Sequence, residues 1–203
     1  GILVHQSRRV GAVGNEVVGD PHSPLGLRGD GVRFWETRDS VVEGNRIRYC
    51  RDVLLQYSPR NRVVGNAVEH GRYGAHFMYS SDAVVRRNRF LHNTVGVFVM
   101  YSSGIDVSDN LLAGAVDHGG MGVGVKESGD VSIAGNAMVR NQSGVYLDAS
   151  PFRPSQSLVV EGNLFAINQA GVVFLSSASR GVFRGNEFRG NQEQVRVEGG
   201  GDA

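Results

Sequence analysis

Residues 74–81 read GAHFMYSS, and residues 96–103, twenty-two positions on, read GVFVMYSS. A near-copy at that distance is either an accident or one step of an architectural period. Two further markers decide between them. An asparagine, usually after glycine, recurs at Asn15, Asn45, Asn66, Asn88, Asn110, Asn136, Asn163 and Asn186. A serine or threonine closing a short apolar stretch recurs at Ser7, Thr37, Ser58, Ser80, Ser102, Ser128, Ser150 and Ser177. From Ser7 to Ser128 the second marker precedes the first by eight residues in six successive copies, so two independent signals keep phase while extra residues collect between them.

Each unit is too short and too rich in Val, Gly and Asn for a helical hairpin, and no 3.6-residue apolar periodicity persists. Alternation of period two is present instead. In GVFVMYS, Val97 and Val99 point inward while Phe98 and Met100 point out; in GVYLDAS, Val145 and Leu147 point inward while Tyr146 and Asp148 point out. A second short strand precedes each asparagine and a third follows it. Three strands per roughly 22 residues wind into one coil of an all-β, right-handed, single-stranded parallel β-helix, with about eight to nine coils in one domain spanning 1–203. Coils stacked about 4.8 Å apart make a rod roughly 40 Å long.

The landmarks then acquire physical roles. Asparagine tolerates the left-handed backbone of a tight corner, and its amide can bond to its equivalent one coil away. Serine is expected to form a similar ladder at another corner. Two residues after each asparagine stand Ile47, Val68, Phe90, Leu112, Met138, Phe165 and Phe188, a continuous inward file. Cys50 falls five residues after Asn45, where later coils carry Gly71, Asn93, Asn141, Asn168 and Asn191, which assigns it a corner position.

Bulk properties bound the function. With 21 basic and 20 acidic residues the net charge is +1, so nothing points to nucleic acid or to an anionic membrane. The 29 glycines are roughly twice the average share, yet the hydrophobic residues are evenly spread, unlike a disordered chain. One cysteine excludes an internal disulfide framework and a multi-cysteine metal site. No apolar run is long enough to span a membrane, so direct membrane insertion is not expected. No basic-then-apolar leader opens the sequence, so a secreted protein would already have shed one.

Aligned by their leading glycines, the strands present two outward files. One is Leu3, Arg33, Leu54, His76, Phe98, Gly124, Tyr146 and Val173; the other is His5, Trp35, Gln56, Met78, Met100, Lys126, Asp148 and Leu175. Trp35, His76, Met78, Phe98, Met100, Lys126, Tyr146 and Asp148 make a face too apolar for plain solvated surface, which marks a partner-binding surface. Three insertions, at 19–30, 114–121 and 151–156, flank this face and are expected to wall a groove. His76, Met78 and Met100 offer imidazole and thioether donors suited to Cu(I), and Asp117, His118 and Met121 offer a second such group. The plainer alternatives are a methionine filling an adaptable surface and an ordinary surface histidine. Lys126 and Asp148 are expected to stack as a surface ion pair. Sugar hydrolysis needs paired carboxylates facing one groove, and no outward file of this strand carries two acids on neighbouring coils. No catalytic residue is assigned.

GAHFMYSSD (74–82), GVFVMYSS (96–103), VKESGDVSIAGN (125–136), VRNQSGVYLDASP (139–151) and VEGNLFAINQAGV (160–172) together resemble the NosD family of nitrous oxide reductase maturation proteins, within the wider group of carbohydrate-binding and sugar-hydrolase (CASH) β-helical repeats. The resemblance runs from about residue 28 onward. It implies a periplasmic accessory protein without a catalytic centre, associated with ABC transporter subunits, a copper chaperone and nitrous oxide reductase itself. Copper, if bound at all, would be transient. It also implies a piece of a longer chain, stopping at EGGGDA (198–203) before a further tail. The competing reading, from fold analogy and from outward Trp35, Phe98 and Tyr146, is a polysaccharide-binding or polysaccharide-cleaving β-helix.

Overall fold

A computed structural model describes residues 1–198; the stop expected near EGGGDA falls largely on residues 199–203, outside the described residues. Strands follow one another in threes, and every third strand enters the same sheet. The first sheet has nine strands, the second and third eight each, and every pairing is parallel. The one helical turn among the described residues is the short 3₁₀ segment Leu25–Leu27 inside the first insertion. This is the parallel β-helix expected from the period.

Register is as the repeat requires. Met78 pairs with Met100 and His76 with Phe98, and both outward files align turn by turn through Lys126–Asp148 and Gly124–Tyr146. The inward file Ile47, Val68, Phe90, Leu112, Met138, Phe165, Phe188 is paired throughout. Its central members, with Phe77, Val85, Val97, Val99 and their equivalents, are at most 3% exposed. A fully buried Val, Leu or Phe contributes about 1.5–3 kcal/mol. Several per turn outweigh a ladder whose bonds are each worth about 1 kcal/mol net, so the core supplies the stability and the ladders fix the register.

The asparagine ladder is nearly saturated. Asn88 Oδ1 accepts from the Asn66 backbone N–H (2.9 Å) and from Asn66 Nδ2 (3.0 Å), while Asn88 Nδ2 donates to Val63 O and to Asn110 Oδ1. The pattern repeats to Asn186. One expectation is corrected here. The left-handed residue is not the asparagine but the residue before it: Gly44, Gly65, Gly135 and Gly162 have φ of 61–65°, Arg87 56° and Asp109 55°. That places the asparagine in ordinary backbone, free to aim its amide along the rod axis.

At the second corner each serine hydroxyl accepts from the backbone N–H of the preceding turn's member, as from Ser80 N to Ser102 Oγ at 3.0 Å. The last rung is also corrected: Ser179, not Ser177, accepts from Ser150 N. The loop after Phe174 is longer than the fixed spacing allows for, which moves the equivalent position by two. Cys50 does occupy the third corner, 6% exposed, its thiol donating to Arg48 O at 3.5 Å. Burial pushes that thiol above its ordinary pKa, which leaves it protonated and unreactive.

Glycine leads the first-sheet strands for a steric reason. A Cβ on Gly74, Gly96, Gly122 or Gly144 would lie 2.5–2.6 Å from the carbonyl oxygen of the next glycine in the file. Only a residue without a side chain permits that approach.

Candidate functional site

The strands Tyr73–Met78, Val95–Met100, Met121–Lys126 and Ser143–Asp148 lie side by side and present the outer face of the first sheet. Three of the four methionines, Met78, Met100 and Met121, stand on these strands; the fourth, Met138, is in the core. Gly124 makes room among them. A Cβ there would fall 2.9 Å from both Met121 Sδ and the Phe98 ring, so the missing side chain lets those two groups close over the strand.

His76 is the centre of the most organised cluster. It is only 6% exposed, whereas a surface histidine was the plain expectation. Phe98 stacks on its ring at 6.0 Å, and Tyr73 meets it edge-on at 4.8 Å. Its Nε2 lies 3.3 Å from Met100 Sδ. Its Nδ1 is buried without a hydrogen bond, 3.6 Å from Asp52 Oδ2. Asp52 is itself 2% exposed and is held by Arg72 through Nε–Oδ1 at 2.9 Å and a second contact from Nη2 to Oδ2. Burial works to raise the Asp52 carboxyl; the His76 imidazole and the Arg72 guanidinium together outweigh it and hold the group below the ordinary carboxylate value. The sequence pattern pointed to His76 and Met100 but not to Asp52 or to Arg72, which precedes the strand Tyr73–Met78; that strand joins Asp52–Gln56 with a register shift between Tyr73 and His76.

The remaining expected residues fall as follows. Lys126 and Asp148 form an ion pair at 3.0 Å, and that bond raises the lysine pKa. Trp35 stands two turns from Met78 in the same file, beneath the Arg33 guanidinium at 4.6 Å and edge-on to His5. Phe98, Met78, Met100, Trp35, Lys126, Tyr146 and Asp148 are all half-buried rather than open to solvent, because long side chains lean over their neighbours along the rod. His118 is exposed within the second insertion, while Met121 turns its sulfur toward Gly124 and Phe98.

Open aromatic surface lies instead at the neighbouring corner. Tyr57, Tyr79 and Tyr101 stack on consecutive turns at 5.2 and 5.0 Å, each with φ of 51–52°, and Tyr57 and Tyr79 are 45% exposed. They line a trough of about 670 Å³ with Glu127, Phe152, Arg153 and Gln156. A second hollow of about 540 Å³ shares Tyr57 and Pro59 and extends the trough to Gln6 and Glu36. Of the three insertions only 151–156 borders it; 19–30 and 114–121 precede first-sheet strands and so stand at their opposite end, the arrangement expected for insertions flanking that face. The residue type at this corner was legible from the matched MYSS pairs, but the open trough was not.

Metal-binding capacity is specific in kind. Among the described residues no group of three or more His, Cys, Asp or Glu side chains is placed to hold an ion. The buried imidazole whose Nε2 touches the Met100 thioether is a different donor set, one that suits a soft monovalent metal.

A profile of the family described as "Periplasmic copper-binding protein (NosD)" matches residues 10–203. The chain belongs to this family. No curated protein sequence matches it. Among solved structures it is similar to the periplasmic alginate epimerase AlgG at 15% identity and TM-score 0.66, covering 96% of this chain and 46% of that one. It is also similar to the catalytic unit of a GH87 α-1,3-glucanase from Streptomyces thermodiastaticus (15%, TM-score 0.59, 92% and 41%) and to the mannuronan C-5 epimerase AlgE4 A-module of Azotobacter vinelandii (16%, TM-score 0.52, 97% and 58%). At such identities the likeness is one of fold. The chain spans about half the length of these structures. No helix among the described residues is long and apolar enough to cross a membrane.

Proposed function

We propose that this chain is a periplasmic accessory protein of copper-enzyme maturation that performs no catalytic step itself. It meets its partners through the outer face of the first sheet and the adjoining tyrosine corner. Nitrous oxide reductase is the client that the family resemblance implies, with ABC transporter subunits and a copper chaperone as companions. The observation carrying this reading is the concentration of soft donors: His76 and three of the four methionines share three neighbouring strands. Family membership supports a copper-related role in the periplasm. Tyr146→Ala combined with Lys126→Glu is expected to weaken capture of apo-nitrous oxide reductase or of its chaperone at least tenfold with an unchanged circular dichroism spectrum; undiminished capture of both would count against the reading.

A second reading, glycan binding or cleavage, is favoured by the tyrosine trough that follows the rod, together with the polysaccharide-acting enzymes sharing this fold. The tyrosines stack on one another, so their ring faces are largely taken and mainly edges and hydroxyls remain for a sugar. Reducing-end and unsaturated-product assays over acidic and neutral polysaccharides test it, and turnover of any one would move the assignment there.

A further inference from the structure

We infer that the outer face of the third sheet, centred on the strand Ala137–Val139, docks a second copy of this chain, rod against rod and running in opposite directions. This goes beyond the accessory reading and uses a different face of the molecule. On the third sheet each turn sends two side chains outward, the first and the third after the asparagine. In the early turns several of these are charged, as at Glu16, Arg46, Arg48 and Glu69. Arg89 is the last of them. Across the next three paired strands, Leu111–Ala113, Ala137–Val139 and Leu164–Ala166, all six outward positions are apolar, and charge returns only at Glu187 and Arg189. Ile167, at the corner beside this face, serves no internal packing: it is 62% exposed and holds φ at 57°, a left-handed backbone that a β-branched residue rarely adopts. Val116, in the insertion at the same corner, is 64% exposed. Contiguous apolar surface of this kind marks an interface.

The occupant follows from the register, because the face is complementary to itself. A twofold axis lying along Ala137–Val139 reverses the order of the turns and keeps the strand direction. Leu111 then meets the partner's Leu164, and Ala113 meets the partner's Ala166. The projecting Ile167 meets the partner's Gly114, where the corner carries no side chain, with the partner's Val116 beside it. Arg89, exposed and without an ion pair among the described residues, meets the partner's Glu187, and symmetry makes that contact twice. Charge along the rod selects the antiparallel arrangement. Residues 1–89 hold 14 basic and 9 acidic side chains, whereas residues 90–203 hold 7 and 11. Rods running the same way would set like ends side by side; reversal brings opposite ends together. Five strands of three residues cover roughly 250 Å², so even with the flanking corners the contact falls short of the about 800 Å² per partner of a standard interface and the dimer is a weak, reversible one.

The test is sedimentation equilibrium of the whole chain up to millimolar concentration. A monomer–dimer equilibrium is expected, weakened at least tenfold by Val139→Glu with an unchanged circular dichroism spectrum. Arg89→Glu and Glu187→Arg, both at exposed positions, are each expected to weaken it, and mixing the two variants is expected to restore a mixed dimer, since each then supplies the charge the other lacks. This arm keeps the test decisive if Val139→Glu fails to fold. Cys50 is buried, so an introduced cysteine is the one accessible thiol. Ala137→Cys is expected to cross-link with a short bismaleimide, and Ser132→Cys, on the second sheet of the same turn, is expected not to. A chain that stays monomeric throughout, a dimer indifferent to Val139→Glu, no rescue on mixing, or equal cross-linking at both positions would each overturn the proposal.

Discussion

A buried asparagine amide is tolerable only when every donor and acceptor is used, and Asn110 meets that condition. It is 2% exposed; its Oδ1 accepts from Asn88 N and Nδ2, and its Nδ2 donates to Val85 O and to Asn136 Oδ1. Asn110→Ala strands the Asn88 N–H and the Val85 carbonyl in the interior, at about 1–3 kcal/mol for each unsatisfied group. A loss of about 2–5 kcal/mol in urea denaturation is expected there, and a smaller one at Asn15, whose ladder bonds are only part-buried. Asp52 answers to pH. Its folded-state pKa is depressed, so the stability it contributes is present above its unfolded value and lost as pH falls through the folded one. The stability gap between wild type and Asp52→Asn is therefore expected to be full near neutrality and to close below about pH 4. A gap that stays constant down to pH 2 would show that the Arg72 and His76 contacts leave the carboxyl unshifted.

At the scale of the strand, the file of leading glycines sets how closely turns approach. Gly96→Ala puts a methyl carbon 2.6 Å from both Gly122 O and a Leu112 side-chain carbon; the first is backbone and cannot swing aside. Overpacking of this kind costs about 1–3 kcal/mol, measurable as a lowered Tm, while Gly26→Ala, with open space around it, is expected to be neutral or nearly so. These strands also show what the sequence made readable. Inward and outward files were legible because period two and the 22-residue step act on every turn, so Val97 and Met100 could be placed without coordinates. Asp52 and Arg72 were not, since the strand from Asp52 joins its neighbour with a register shift that no spacing announces. Side-chain lean was equally hidden: outward in register is not the same as open to water, and Leu54, His76 and Val173 point outward yet are at most 6% exposed.

For the whole molecule, the decisive property is that each turn touches chiefly the turn before and the turn after. Extra residues at 19–30, 114–121 and 151–156 lengthen corners while the paired strands on either side keep their register. The fold was therefore readable through loops of any length, and the site was readable only where it repeats the period. The ladders through Asn15 to Asn186 run along the rod, parallel to the direction in which the turns are piled. A pull applied at one end along that direction loads a single layer's bonds at a time. Held in an optical trap by its termini, the protein is expected to unspool from the tip in a sawtooth, each rip freeing some 22 residues, or roughly 75 Å of slack. One abrupt release of the entire length would mean that the layers are mechanically fused.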